Sequence, residues 1–159
     1  MKQTLTIALL IFCTTVWTST VQANRLALAK DLTIDAKKAK EKQAPILVLF
    51  MEKTCPYCET VLRDFLLPMQ RDSTYSNKVV MRQIEINSKD QLIDFEGNTT
   101  TQAAFSRKNK VWGVPVVILF DSQGQVLTTI TGLLNVDFYR AYLDNAINDS
   151  QEKIKAIAK

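Results

Sequence analysis

Ile46-Leu47-Val48-Leu49-Phe50, then Met51-Glu52-Lys53-Thr54, then Cys55-Pro56-Tyr57-Cys58: the reading of this stretch decides the fold. Its continuous apolar run is of strand length and suits a strand buried on both faces, at the centre of an α/β sheet. A polar connector follows. Beyond Cys58, Val61, Leu62, Phe65, Leu66 and Met69 recur at helical spacing. A Cys-x-x-Cys pair therefore leaves a buried strand and opens a helix, which is a redox signature. The start of a helix presents unpaired N–H groups and the positive end of the helix dipole, and both stabilise a thiolate. Cys55 is accordingly predicted to be the attacking thiol. Pro56 suits the first helical turn, where its missing N–H is no loss. Cys58 lies one turn inward, placed to attack a mixed disulfide at Cys55 and resolve it.

Working towards the C-terminus, Pro68 should kink or end that helix, and Gln70 to Asn77 reads as a polar loop. Lys78 to Asn87 alternates like a strand. Ser88 to Thr99 reads as an irregular insertion around Gly97, and Thr100 to Lys108 as a short helix with Ala103, Ala104 and Phe105 inward. Val111-Trp112-Gly113-Val114-Pro115 is a turn before a second buried strand, Val116–Phe120. Asp121-Ser122-Gln123-Gly124 is a hairpin turn, and Gln125 to Thr131 its second arm. Val136 to Ile147 reads as a closing helix with Phe138, Tyr139, Tyr142, Leu143, Ala146 and Ile147 on one face, fraying from Asn148. Towards the N-terminus, Asn24 to Gln43 is rich in Ala, Lys and Leu. It reads as a helix with Asp31 as an internal restart, broken by Ala44-Pro45. Alternating strands and helices imply parallel pairing in the first half, and the hairpin adds antiparallel strands. The expected class is α/β: a central mixed β-sheet flanked by helices.

The chain has 159 residues, 47% of them hydrophobic and 23% charged, which fits one domain with a real core. It has no histidine, so histidine-based general bases, triads and zinc–imidazole sites are excluded. Twenty Lys and Arg against 16 Asp and Glu give a formal charge of +4. The basic residues are scattered, with no Arg-rich stripe or stacking platform, so no nucleic-acid partner is expected. Residues 1–23 read as a cleavable secretory signal. Lys2 makes a positive start, Leu5 to Val16 an apolar stretch too short to span a bilayer, and Val21-Gln22-Ala23 a cleavage site. An uncleaved membrane anchor is the alternative. Lipidation at Cys13 is disfavoured by the bulky Phe12 before it. Residues 24–159 are then a single exported domain with two cysteines. One such tight pair staples almost nothing and is better explained by reactivity. Zinc would need more Cys or His ligands than residues 24–159 contain. Cu(I) held by the two thiolates, or an inert disulfide, are the other readings of the pair.

These residues resemble the thioredoxin superfamily. The likeness is carried by strand Ile46–Phe50, by Cys55-Pro56-Tyr57-Cys58, and by Gly113-Val114-Pro115 before strand Val116–Phe120, and it covers roughly Pro45 to Ile147. The chain is most similar to periplasmic thioredoxin-related proteins encoded with sulfur-oxidation genes, on Cys-Pro-Tyr-Cys, Asp94-Phe95-Glu96-Gly97 and Trp112-Gly113-Val114-Pro115. The resemblance implies a thioredoxin-like fold and a cis Val114–Pro115 peptide beside Cys55, with the Val114 backbone free to pair with a substrate strand. Pro56, Tyr57 and Trp112 join Val114 and Pro115 as expected substrate contacts. Two positions depart from the family: Thr54 replaces a tryptophan, and Leu49 replaces a buried acid that serves proton transfer at the second cysteine. Glu52 and Lys53 are the candidate substitutes, with plain surface charge as the other reading.

The implied activity is a periplasmic thiol–disulfide oxidoreductase that reduces disulfides of partner proteins through Cys55 and Cys58. It needs no cofactor beyond its own disulfide. Its partners are protein thiols and disulfides and a membrane electron donor, and the chain is expected to be monomeric. A disulfide-forming oxidase or isomerase and a Cu(I) chaperone are the alternatives.

Overall fold

The computed structural model describes residues 24–133 and 135–157. The signal-peptide reading of residues 1–23, with Cys13, lies outside them. At the centre is β1 (Ile46–Met51), buried along its whole length. It runs parallel to β2 (Val80–Glu85) and antiparallel to β5 (Val116–Phe120), and β5 pairs antiparallel with β6 (Val126–Thr131). The order is β2-β1-β5-β6. Side chains of a strand alternate between faces, so β1 feeds two cores. Leu47, Leu49 and Met51 enter one layer with Cys58, Val61, Leu62, Phe65, Leu66 and Tyr139. Ile46, Val48 and Phe50 enter the other with Leu32, Ala39 and Phe105. The first layer lies under α2 (Pro56–Thr60), a π-helical segment (Val61–Leu66), α3 (Leu67–Arg71) and α5 (Val136–Ile157). The second lies under α1 (Leu32–Lys42) and α4 (Gln102–Lys108). This is the mixed sheet flanked by helices that the sequence predicts. Met51, Met69 and Phe65 are all buried.

Four details differ from the sequence reading. The first helix does not begin at Asn24. Asp31 caps α1, accepting hydrogen bonds from the backbone N–H of Thr33 (2.9 Å) and Ile34 (3.3 Å). The residues before it are extended along β2, with Ala29 N–H donating to the Gln83 carbonyl and Gln83 N–H to the Ala27 carbonyl, both at 3.0 Å. The helical composition of this segment yields to the open backbone groups of the β2 edge. Second, the chain stays helical through Pro68. The wider π-helical turn directly before it gives the ring room, so the helix continues past a residue that donates no N–H.

Third, the Ser88–Thr99 insertion is ordered as a hairpin of β3 (Gln91–Ile93) and β4 (Thr99–Thr101). The Asp94 carboxylate holds its turn by accepting from the N–H groups of Glu96 (3.0 Å) and Asn98 (2.8 Å). Phe95 then packs onto the β5–β6 turn at Gly124, where φ is +80° and an added Cβ would lie 2.7 Å from the Phe95 ring. Gly124→Ala therefore combines a left-handed backbone with a collision. It should lower stability by about 2 kcal/mol or more, read by urea denaturation; an unchanged midpoint would show that Phe95 has room to move.

Fourth, the closing helix runs to Ile157 rather than ending at Ile147. Its inward stripe is Tyr139, Leu143, Ala146, Ile147 and Ser150, while Phe138 and Tyr142 are exposed. Phe138 and Tyr142 lie outside the true stripe because each is one residue short of the inward position. The Tyr139 ring meets Phe65 with centroids 5.0 Å apart, yet its buried hydroxyl has no hydrogen-bond partner. Tyr139→Phe removes that orphan and should leave the protein as stable or up to about 1 kcal/mol more stable. Burial also raises the Tyr139 pKa from 10.0 to about 12. A raised pKa favours the folded protein below the unfolded value, and this contribution is lost as pH climbs from 10.0 to about 12. The phenylalanine variant should lose that part of the alkaline decline, as seen by thermal unfolding across this range.

Candidate functional site

At the C-terminal end of β1 the chain turns, Cys55 N–H donating to the Glu52 carbonyl at 3.3 Å. Cys55 is the N-cap of α2, in an extended conformation (φ −96°, ψ 106°). Its Sγ accepts a hydrogen bond from the backbone N–H of Cys58 at 3.1 Å. A serine or aspartate cap uses an oxygen in this position; here the acceptor is the sulfur, so the first-turn N–H that Cys55 caps also lowers the energy of negative charge on Cys55. Cys55 and Cys58 form a disulfide, their Cα atoms 5.2 Å apart. The two ends differ: Cys55 is partly exposed, whereas Cys58 is wholly buried among the apolar side chains of the first layer. Pro56 occupies the first helical position, and Tyr57 points into solvent, 66% exposed.

The remaining candidate contacts lie on the loop before β5. The Val114–Pro115 peptide bond is cis. The half-buried Val114 and Leu133 pack against the same core cluster as Cys55. Pro115 is buried, and its carbonyl accepts from Gly132 N–H at 2.8 Å, which ties the loop to the end of β6. Trp112 stands out from this loop, 73% exposed, while Val111 beside it is buried. A groove of about 520 Å³ runs from Trp112, Val114 and Pro115 across Val116, Thr131 and Gly132. The fold thus brings Cys55 and Val114 to one cluster and leaves two aromatic side chains, Tyr57 and Trp112, open to solvent.

Leu49 is fully buried in the layer that holds Cys58. The two charged candidates for its missing acid have other partners. Glu52 accepts from the Asn87 amide at 2.7 Å, and Lys53 pairs with Glu85 at 3.3 Å. Both sit on a groove at the end of β1, with Asn87 and Ser88, which is their surface reading. Two residues near the site escape the sequence reading. Arg25 pairs with Glu59, one residue past Cys58, at 3.3 Å; both are around half exposed, so the pair is weak. Gln83 is 1% exposed and directly opposite Leu49 in the β1–β2 register. The signal for it was a lone polar residue continuing the apolar alternation of Val79 and Met81.

A family model for a thioredoxin-like domain matches residues 32–147. Among solved structures, mitochondrial thioredoxin 3 from Saccharomyces cerevisiae, in oxidized form, is similar at 17% identity. That match covers 78% of this chain and 94% of the yeast chain, with a TM-score of 0.52. Thioredoxin O2 from Arabidopsis thaliana, in the oxidized state, is similar at 15% identity over 77% of this chain and 94% of its own, with a TM-score of 0.49. A mutant thioredoxin from Halobacterium salinarum is 16% identical over 81% of this chain and 96% of its own, with a TM-score of 0.47. No curated protein matches the chain.

Proposed function

The chain belongs to the thioredoxin-like family, and from that premise we propose that it is a periplasmic thiol–disulfide oxidoreductase that reduces disulfides in partner proteins. One observation carries the chemistry: a disulfide at a helix N-terminus whose outer sulfur, on Cys55, is partly exposed and accepts the Cys58 N–H, while the inner one is buried. In the working direction the Cys55 thiolate attacks a partner disulfide and forms a mixed disulfide, releasing one partner thiolate. Cys58 loses its proton and attacks Cys55. The second partner sulfur leaves, and the enzyme ends as the Cys55–Cys58 disulfide with two electrons passed to the partner. Val114, Pro115, Pro56, Tyr57 and Trp112 form the surface on which the partner segment lies. The exposed Tyr57 and Trp112 supply apolar contact, and the Val114 backbone supplies strand-like pairing.

Export follows from the N-terminal signal reading, and reduction outside the cytosol then calls for a membrane protein that returns electrons to Cys55–Cys58. The direction is tested by equilibrating the protein with glutathione and dithiothreitol. A reduction potential near or below about −230 mV is expected for a reductant; a value near about −120 mV would make it an oxidant of partner thiols and overturn the direction. Recovery of the protein in the periplasmic fraction checks the location.

A further inference from the structure

Most buried polar side chains of the described residues have partners. Asp35 accepts from Arg82, Asp94 from the backbone of its own turn, and Gln102 from Glu85 N–H, while Ser106 donates to the Gln102 carbonyl. The hydroxyls of Tyr139 and Ser150, both on α5, lack one, and so does the carboxamide oxygen of Gln83 on β2. Gln83 alone of these three sits across from Leu49, and its direction follows from the sheet. Val79 and Met81, four and two residues before it on the alternating side, lie in the layer that contains Cys58, and so does Leu49, its partner across the β1–β2 register. Arg82, on the other face, reaches α1 instead through Asp35. Gln83 therefore places an unsatisfied acceptor into the layer beneath the active disulfide, next to the position where Leu49 offers no polar atom.

An orphaned buried acceptor costs about 1–3 kcal/mol, and in the oxidised protein the Cys58 sulfur has no proton to offer it. Reduction changes that. A dithiol donor gives two electrons and becomes a disulfide, and the Cys55–Cys58 bond breaks. One of the donor's two protons stays on Cys58, and the other goes to solvent while Cys55 is held as a thiolate by the Cys58 N–H. A buried S–H donor then exists in the same layer as the waiting acceptor. We propose that Gln83 is a positioning residue for the redox couple, its carboxamide oxygen accepting the hydrogen bond of the reduced Cys58 thiol, directly or through one buried water. The contact forms only in the reduced protein, so Gln83 raises the reduction potential. It also holds the Cys58 proton where it must leave when the mixed disulfide is resolved. This rests on the disulfide-exchange reading above.

The test is the equilibrium of the Cys55–Cys58 couple with glutathione in the whole chain, for the parent, Gln83→Leu and Gln83→Met. Both variants remove the acceptor and keep the buried volume. Their equilibrium constants should move about fivefold to tenfold towards the disulfide, and tenfold corresponds to about 30 mV more negative. In denaturant, the oxidised variants should be at least as stable as the oxidised parent, because the orphan is gone, while the reduced variants lose relative to the reduced parent. A general packing defect would weaken both forms alike. Folded variants with an unchanged equilibrium constant, beside a parent that exchanges normally, would overturn the role of Gln83 alone. A parent chain that does not exchange with glutathione would overturn the oxidoreductase reading and this one with it.

Discussion

Cys55→Ser should abolish disulfide reduction, whereas Cys58→Ser should complete the first chemical step and stop. The difference follows from exposure. Cys55 is partly open at the N-terminus of α2 and Cys58 is wholly buried, so a folded partner can reach only the outer sulfur. A serine hydroxyl at position 55 is not ionised at neutral pH and forms no disulfide, so insulin-disulfide reduction should fall to background. With Cys58→Ser the Cys55 thiolate still attacks, but nothing inside the protein displaces the partner. A covalent adduct should accumulate, visible as a higher-mass band on a non-reducing gel and lost on adding dithiothreitol. Full turnover by Cys58→Ser would show that an external thiol resolves the adduct. Activity in Cys55→Ser would reverse the roles of the two cysteines.

Arg82→Met should cost about 3–5 kcal/mol of stability. Asp35 is 3% exposed on the inner side of α1, and its carboxylate is held by the Arg82 guanidinium, with Nε at 2.8 Å from Oδ2 and Nη2 on Oδ1. Arg82 also donates to the Met81 carbonyl at 2.7 Å. Removing the cation leaves a carboxylate in the α1–β2 seam with no countercharge, and whole domains are stable by only about 5–15 kcal/mol. Removing both charges, as Arg82→Met with Asp35→Leu, should recover most of the loss, because two apolar side chains can fill the seam. Denaturant midpoints of the two variants check this. A single variant as stable as the parent would mean that water reaches Asp35.

The elements with a strong period were legible in the sequence. β1 and β5 stand out as unbroken apolar runs, and the Cys-x-x-Cys after β1 marks the start of α2. What failed depended on partners distant in the chain. Residues 24–31 have the composition of a helix, and pairing with the edge of β2 and with Ile93 of β3 takes Ala27 to Asp31 out of it. The β3–β4 hairpin hides in a polar stretch because its order comes from the Asp94 turn and from Phe95 against Gly124, neither of which is periodic. The inward stripe of α5 reads too wide in the sequence, taking in Phe138 and Tyr142 beside Tyr139, Leu143, Ala146 and Ile147, since a helix of mixed composition offers two adjacent faces and packing against Phe65 selects one. At the site the cysteines were legible from spacing. Gln83 was not, because its importance lies in the cross-strand register with Leu49.

The pairing of Ala27 and Ala29 with Gln83 also constrains the order in which the molecule can assemble. The segment that closes the outer edge of β2 is the first of the described chain to be synthesised, yet its hydrogen-bonding partner lies more than a third of the chain further on. Closing so long a loop is slow compared with forming a local helix, and the β1–β5 pairing closes a longer one still. Until then the growing sheet carries a bare strand edge on that side, the kind of surface that pairs with other chains. The amides of Ala29 and Gln83 should therefore become protected from exchange with solvent later than those of the helices.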